Sequence, residues 1–318
     1  MNKLTTHLIW CALVAVSLSS TATAALLRYE PFNYNEVGTT VEGKTNPDGE
    51  TWVAAYGDAV GPSLIKVASN NLGVPSPLLP PVGNSAEIDG GPSTVGTNSQ
   101  QAGKSLRLPL GTTITQNGGG TVYYSLALRI DDLAGSTNVN GGFFLALNNS
   151  AGATATNPGA AAARLQSRID PSDGTKYNLG IFRNVNATMA ATSWGGPMTV
   201  GETLFVVGSY ETVAGNQNDI ARLWINPDPS TFADPAFSPL TTPPTLIDNT
   251  TLTGTDIGIA SILLRQSLAP HLTLDELRVG TTWADVTPIP EPASLGLLLV
   301  GCVLLCGRNR LGNGSSHS

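Results

Sequence analysis

Apolar positions in this chain recur mostly with a period of two, in short runs. Residues 121–130 (TVYYSLALRI) show this most clearly. Val122, Tyr124, Leu126, Leu128 and Ile130 fall on one face, and Thr121, Tyr123, Ser125 and Arg129 on the other. That is the alternation of a strand with one side against a core. Runs of the same kind follow at 142–148 (GFFLALN), 178–183 (NLGIFR), 203–211 (TLFVVGSYE), 220–226 (IARLWIN), 257–265 (IGIASILLR) and 272–280 (LTLDELRVG). In 220–226, Ala221, Leu223 and Ile225 oppose Arg222 and Trp224. In the last run the parity breaks between Leu274 and Leu277, which predicts a β-bulge there. Helical periodicity is scarce: residues 131–133 and the alanine-rich 160–165 have room for a turn or two of helix and no more.

Between the runs lie long polar connections. Residues 84–103 are rich in Gly, Ser and Asn, 149–163 in Ala, Gly and Thr, and 226–251 carry six prolines. None holds enough apolar surface to fold alone, so they read as surface loops. Many strands joined by long loops, without amphipathic helices between them, predict a two-sheet antiparallel sandwich.

Two apolar stretches break the period of two, one at each end. Lys3 precedes an apolar run at 8–18 (LIWCALVAVSL), and Ala22-Thr23-Ala24 follows. Positive charge, short apolar run and small-x-small box in this order are the signature of a secretory signal peptide at 1–24, with signal peptidase reading Ala22 and Ala24. At the other end, residues 289–318 hold Pro290-Glu291-Pro292, a 14-residue apolar run at 293–306 (ASLGLLLVGCVLLC), and then Arg308 and Arg310. The prolines keep Glu291 out of a helix, in an extended segment open to a protease. The run is marginal for a full membrane span and suits transient anchoring, and the arginines beyond it fit a cytoplasmic side. The expected body is therefore a single domain at 25–288, and that length suits one sandwich.

Composition sharpens this picture in two ways. All three cysteines, Cys11, Cys302 and Cys306, fall in the end segments, so the body offers no disulfide, thiol nucleophile or cysteine ligand. The chain holds 16 Lys plus Arg against 23 Asp plus Glu, for a formal net charge of −7. Lys3, Arg308 and Arg310 lie in the ends against Glu291 alone, so the body is more acidic still. An acidic, lysine-poor body argues against nucleic acid and against anionic lipid, and leaves neutral glycans as compatible partners.

The C-terminal tripeptide, apolar run and basic cluster together resemble the PEP-CTERM sorting signal, which implies cleavage near the PEP motif by an exosortase-type enzyme after export. Residues 27–38 (LRYEPFNYNEVG), with Thr51-Trp52 downstream, are similar to the opening of a family of PEP-CTERM surface proteins, and 274–286 (LDELRVGTTWADV) to its closing strand. The resemblance brackets nearly the whole body. It implies a concanavalin A-like, laminin-G-like jelly roll, a fold that hosts lectins, glycanases and structural modules alike.

The residues with chemistry to offer are few. His271 is the one histidine of the body, and no G-x-S-x-G motif accompanies it, so neither a serine triad nor a zinc site is supplied. It reads as a loop or strand-edge residue. Glycoside hydrolysis needs two carboxylates across one cleft. The nearest pairs, Asp275-Glu276 and Asp131-Asp132, are adjacent in sequence and so are expected to point to opposite faces or to cap turns. Calcium is the ion the oxygen-rich loops suit: Asp170 and Asp173 in DPSDG, and Asp131 and Asp132 with Asn138 and Asn140, though both groups read equally as Asx turns. For sugar stacking, Trp194 in SWGG is expected in a loop, while Trp52, Trp224 and Trp283 are expected to fill the core or its edges. The function expected is that of an exported, non-enzymatic surface or matrix module that binds exopolysaccharide. The alternative is a carbohydrate-active hydrolase or lyase with a dispersed acidic site.

Overall fold

The computed structural model describes residues 26–56, 65–90, 105–134, 136, 141–153, 159–183, 193–250, 256–266 and 269–290. The signal-peptide segment, Asn138, Asn140 and the tail from Glu291 onward, with Pro292, Arg308 and Arg310, lie outside these residues. Among the described residues fifteen strands divide between two antiparallel sheets. They are β1 (Leu26–Glu30), β2 (Val53–Tyr56), β3 (Ile65–Ala68), β4 (Ser85–Ile88) and β5 (Ser105–Ile114). Next come β6 (Thr121–Asp132), β7 (Gly142–Asn148), β8 (Ala161–Ile169), β9 (Lys176–Phe182) and β10 (Ser193–Thr199). The last are β11 (Thr203–Glu211), β12 (Ile220–Ile225), β13 (Leu246–Asp248), β14 (Ile259–Leu264) and β15 (His271–Gly280), followed by one helical turn, α1 (Trp283–Val286).

The first sheet runs β13-β12-β11-β6-β15-β4-β3, with β1 also paired to β15; the second runs β10-β9-β8-β7-β14-β5-β2. After β1, β3 and β4 in the first sheet and β2 and β5 in the second, the chain passes to the first for β6, to the second for β7–β10 and back to the first for β11–β13. It closes with β14 in the second sheet and β15 in the first. These crossings, with β15 inserted beside β6 and β14 between β5 and β7, are those of a jelly roll. The expected all-β, two-sheet antiparallel jelly-roll sandwich is the fold observed.

One main core lies between the sheets, and the predicted face of β6 lines it: Val122, Tyr124, Leu126, Leu128 and Ile130 are all fully buried there. The predicted bulge in β15 is present, between Asp275 and Arg278. It marks the point where the strand changes neighbour on that edge, from β4 (at Leu272–Leu274) to β1 (at Leu277–Gly280).

The opposite face of β6 departs from the half-solvated picture. Tyr123 joins Phe205, Trp224, Phe232 and Trp283 in a second apolar cluster on the outside of the first sheet. The proline-rich 226–245 segment and α1 fold back to cover it. The indole N–H of Trp224 donates to the Thr242 carbonyl, and that of Trp283 to Thr231 (3.0 and 2.8 Å). Covered this way, a loop that cannot fold alone is ordered by aromatic burial.

Several segments expected as loop or helical turn are strands. Residues 161–165 begin β8, Asp131 and Asp132 end β6, and Ser85–Ile88 inside the 84–103 tract is β4. Alanine carries no periodic signal of its own, so β8 is specified by its ladders with β7 and β9 on either side.

Candidate functional site

The second cluster covers only part of the outer face of the first sheet. The rest, over β3, β4, β15 and the end of β6, stays open as a groove of about 480 Å³. Its floor is a row of directly opposed residues crossing four strands. Lys66 on β3 faces Glu87 on β4, Glu87 faces Thr273 on β15, and Thr273 faces Arg129 on β6. Each strand supplies one polar residue because its neighbours along the chain, such as Ile65 and Val67 around Lys66 or Leu272 and Leu274 around Thr273, turn inward to the core. Ser69, Asn70 and Asn71 form one wall.

Ion pairs and hydrogen bonds fix the row at its β6 end. Arg129 Nε donates to Asp131 Oδ1 at 2.5 Å, and Thr273 donates its hydroxyl to Asp131 Oδ2 at 2.6 Å. His271 stands at the head of β15, half-buried, with Nε2 3.4 Å from Glu87 and Nδ1 3.3 Å from Asp132. Burial opposes a charge on this ring, but the hydrogen bond to Asp132 and the charges of Glu87, Asp131 and Asp132 outweigh it and raise its pKa. His271 is thus a strand-edge residue, as expected, and it is drawn into the groove's charge network.

The adjacent pair Asp275 and Glu276 behaves differently from the expectation of opposite faces. The bulge places Glu276 at φ +52°, and both carboxylates turn to the same covering loop at 69–84. Asp275 accepts from the amides of Leu72 (2.8 Å) and Glu276 (2.7 Å). Glu276 accepts from the Tyr29 hydroxyl and from the Val82 amide (2.9 Å). Both are buried, and each holds the loop over the bulge by one amide, Leu72 for Asp275 and Val82 for Glu276, while Arg278 stands 3.5 Å from Glu276. Burial pushes Asp275 up to about 8, against the pull of its two amide donors.

The calcium candidates separate into two places. Asp170 accepts from Ser172, from the Asp173 amide and from the Asn178 side chain, and these bonds hold its carboxyl down at about 2. Asp173 accepts from the amide and hydroxyl of Thr175. Both are Asx turns, and their lone pairs face amides and hydroxyls rather than a common point. Asp131 belongs to the groove row, and Asp132 accepts from the Ala134 amide as well as from His271. Among the described residues no three His, Cys, Asp or Glu side chains converge as a metal site. Asn138 and Asn140, the other members of the second group, lie outside the described residues.

Trp194 is a correction. It lies in the edge strand β10 rather than in a loop, opposite Gly180 of β9. The missing Cβ of Gly180 makes room for the indole, which passes within 2.7 Å of where that atom would stand. The Arg168 guanidinium lies 4.4 Å over its ring centre, and Phe182 meets it edge-on. The ring is engaged with its own sheet. Trp52, Trp224 and Trp283 are buried, as expected. The groove residues Lys66, Glu87, Asn70 and Asn71 carried no weight in the sequence, because β3 and β4 are four residues each and too short for a periodic signal.

No protein-family model matches the chain, and no curated protein is similar to it. Among solved structures it is similar to a carbohydrate esterase, vb_24B_21, from the Shiga toxin-encoding bacteriophage phi24B, at 11% identity over 81% of this chain and 99% of that one, with a TM-score of 0.39. It is similar also to the Emp46p carbohydrate recognition domain, at 9% identity over 81% and 97% of the two chains, with a TM-score of 0.38. A third similarity is to peanut lectin, at 9% identity over 73% and 96%, with a TM-score of 0.31. Likenesses this loose carry neither a residue role nor an activity to this chain, and its fold is established by its own two sheets.

Proposed function

We propose that this chain is an exported, PEP-CTERM-sorted surface or matrix module that holds an extracellular polysaccharide in the groove over β3, β4, β15 and β6, without chemical turnover. The open polar row Lys66-Glu87-Thr273-Arg129 carries the reading. It is a strip of fixed donors and acceptors on rigid strands, crossing three strand spacings, or about 14 Å, which suits an extended chain of hydroxyl-bearing units. The groove is shallow and holds no exposed aromatic side chain among its described lining, so single-site affinity is modest and display of many copies raises it. A glycan array probed with the full-length protein is the test. Binding that drops at least tenfold in Arg129→Ala, a loss of about 1.4 kcal/mol, supports the groove. Array binding indifferent to Arg129 and Thr273 substitutions would move the site elsewhere.

A second reading rests on His271. An imidazole held between Asp132 and Glu87 at the groove's end is a group able to give or take a proton, and it supports the hydrolase or lyase alternative. Release of reducing ends from an array-positive polysaccharide, abolished by His271→Ala, would favour this reading over simple binding.

A further inference from the structure

The ammonium of Lys66 stands at one end of the groove row with its natural partner turned away. Lys66 and Glu87 are direct cross-strand neighbours, the arrangement that ordinarily gives an ion pair. Yet Glu87 reaches along its own face to His271, at 3.4 Å. Arg28, Lys44, Arg129, Arg222 and Arg278 each stand within ion-pair distance of a carboxylate, while no carboxylate among the described residues stands so close to Lys66. In a chain of net charge −7 an uncommitted cation at a groove mouth is a departure from the surrounding field.

We propose that the groove takes a carboxylate-bearing saccharide, a uronic-acid unit, with the Lys66 ammonium as the anchor for its carboxylate. Asn70 and Asn71, on the wall beside Lys66, supply amides for the sugar hydroxyls, and Arg129 at the far end of the row is held by Asp131 to meet the next units. His271 acts as a positioning residue by occupying Glu87, which would otherwise neutralise Lys66. The inference rests on the groove reading and narrows it from polysaccharide in general to an acidic one. The overall negative field keeps such a polymer from binding elsewhere, so recognition depends on this local charge.

The test compares two probes on the full-length protein by titration calorimetry: an oligogalacturonate and the same oligomer with its carboxyls methyl-esterified. The expected result is at least tenfold tighter binding of the acid form. That preference should disappear in Lys66→Gln and grow in Glu87→Gln, which removes the competing carboxylate. Lys66 is half-exposed on a strand edge, so its replacement leaves the core untouched. Equal binding of acid and ester in the wild type, or a preference that survives Lys66→Gln, would overturn this inference while the groove reading stood. Failure of both probes, with neutral polysaccharides also unbound on the array, would overturn both.

Discussion

The carboxyl of Asp275 is fully buried beneath the 69–84 loop, and that burial raises its pKa to about 8. In an unfolded chain it ionises near ~3.9. Between those values the folded state keeps a proton that the unfolded state has released, so the group's contribution to stability is present below about pH 4 and is lost as pH rises towards about 8. Glu30, buried among Phe32, Tyr34 and Trp52 and likewise raised by desolvation, acts in the same direction. Asp170, lowered by its turn, acts the opposite way but only below about pH 4. The melting temperature followed by circular dichroism should therefore fall between pH 5 and pH 8, and Asp275→Asn should flatten that fall. A melting temperature rising through this window would mean that Asp275 is ionised in the folded protein. None of this was readable from the dipeptide Asp275-Glu276, because the loop that desolvates it lies some two hundred residues earlier in the chain.

At the scale of elements, β6 carries the most weight, pairing β11 on one side and β15 on the other. Its twelve residues alternate cleanly, so its inward face was legible. Its outward face was not, since Tyr123 and Ser125 read as solvated polar positions and are instead roofed by Trp283, Phe237 and the α1 turn. Leu126→Asp would place an unpaired carboxylate in the main core and cost several kcal/mol, shown as a matching drop in the urea midpoint. Trp224→Ala, on the outer side, should cost about 3–5 kcal/mol for the same reason any large buried aromatic does. If Trp224→Ala unfolds at the wild-type midpoint, the outer cluster contributes nothing and the 226–245 segment is held by other means. The short strands β3 and β4 were missed because four residues give two repeats of a period of two, no more than chance supplies.

For the whole molecule, the sandwich closes before the expected sorting motif begins. The Pro288 carbonyl accepts from the Leu79 amide at 3.0 Å, and the Thr287 side chain bridges Trp283 and Ala233, so the chain leaves the body at a pinned point next to Pro290. Among the described residues no helix is long and apolar enough to cross a membrane. The sorting proposal puts cleavage at the proline-flanked Glu291, just beyond this pinned point. Intact-mass measurement on secreted protein should then show an end near residues 290–292. Full-length chain to Ser318 recovered from cells with an active sorting enzyme would refute the sorting proposal.

What the chain determines by itself is local. The period of two sets the strand class and the inward face of β6, and the parity break at Leu274 and Leu277 sets the bulge in β15, because side-chain alternation and its interruption are properties of consecutive residues. What the tertiary structure decides is which residues become neighbours across strands. Lys66, Glu87, Thr273 and Arg129 are spread over more than two hundred positions, and the jelly-roll order β3-β4-β15-β6 brings them into one row. The same order takes Trp194 out of its expected loop and lays it on Gly180. Pairing partners, and with them the groove, follow from sheet topology and from which loops cover which face, and no window of sequence holds that information.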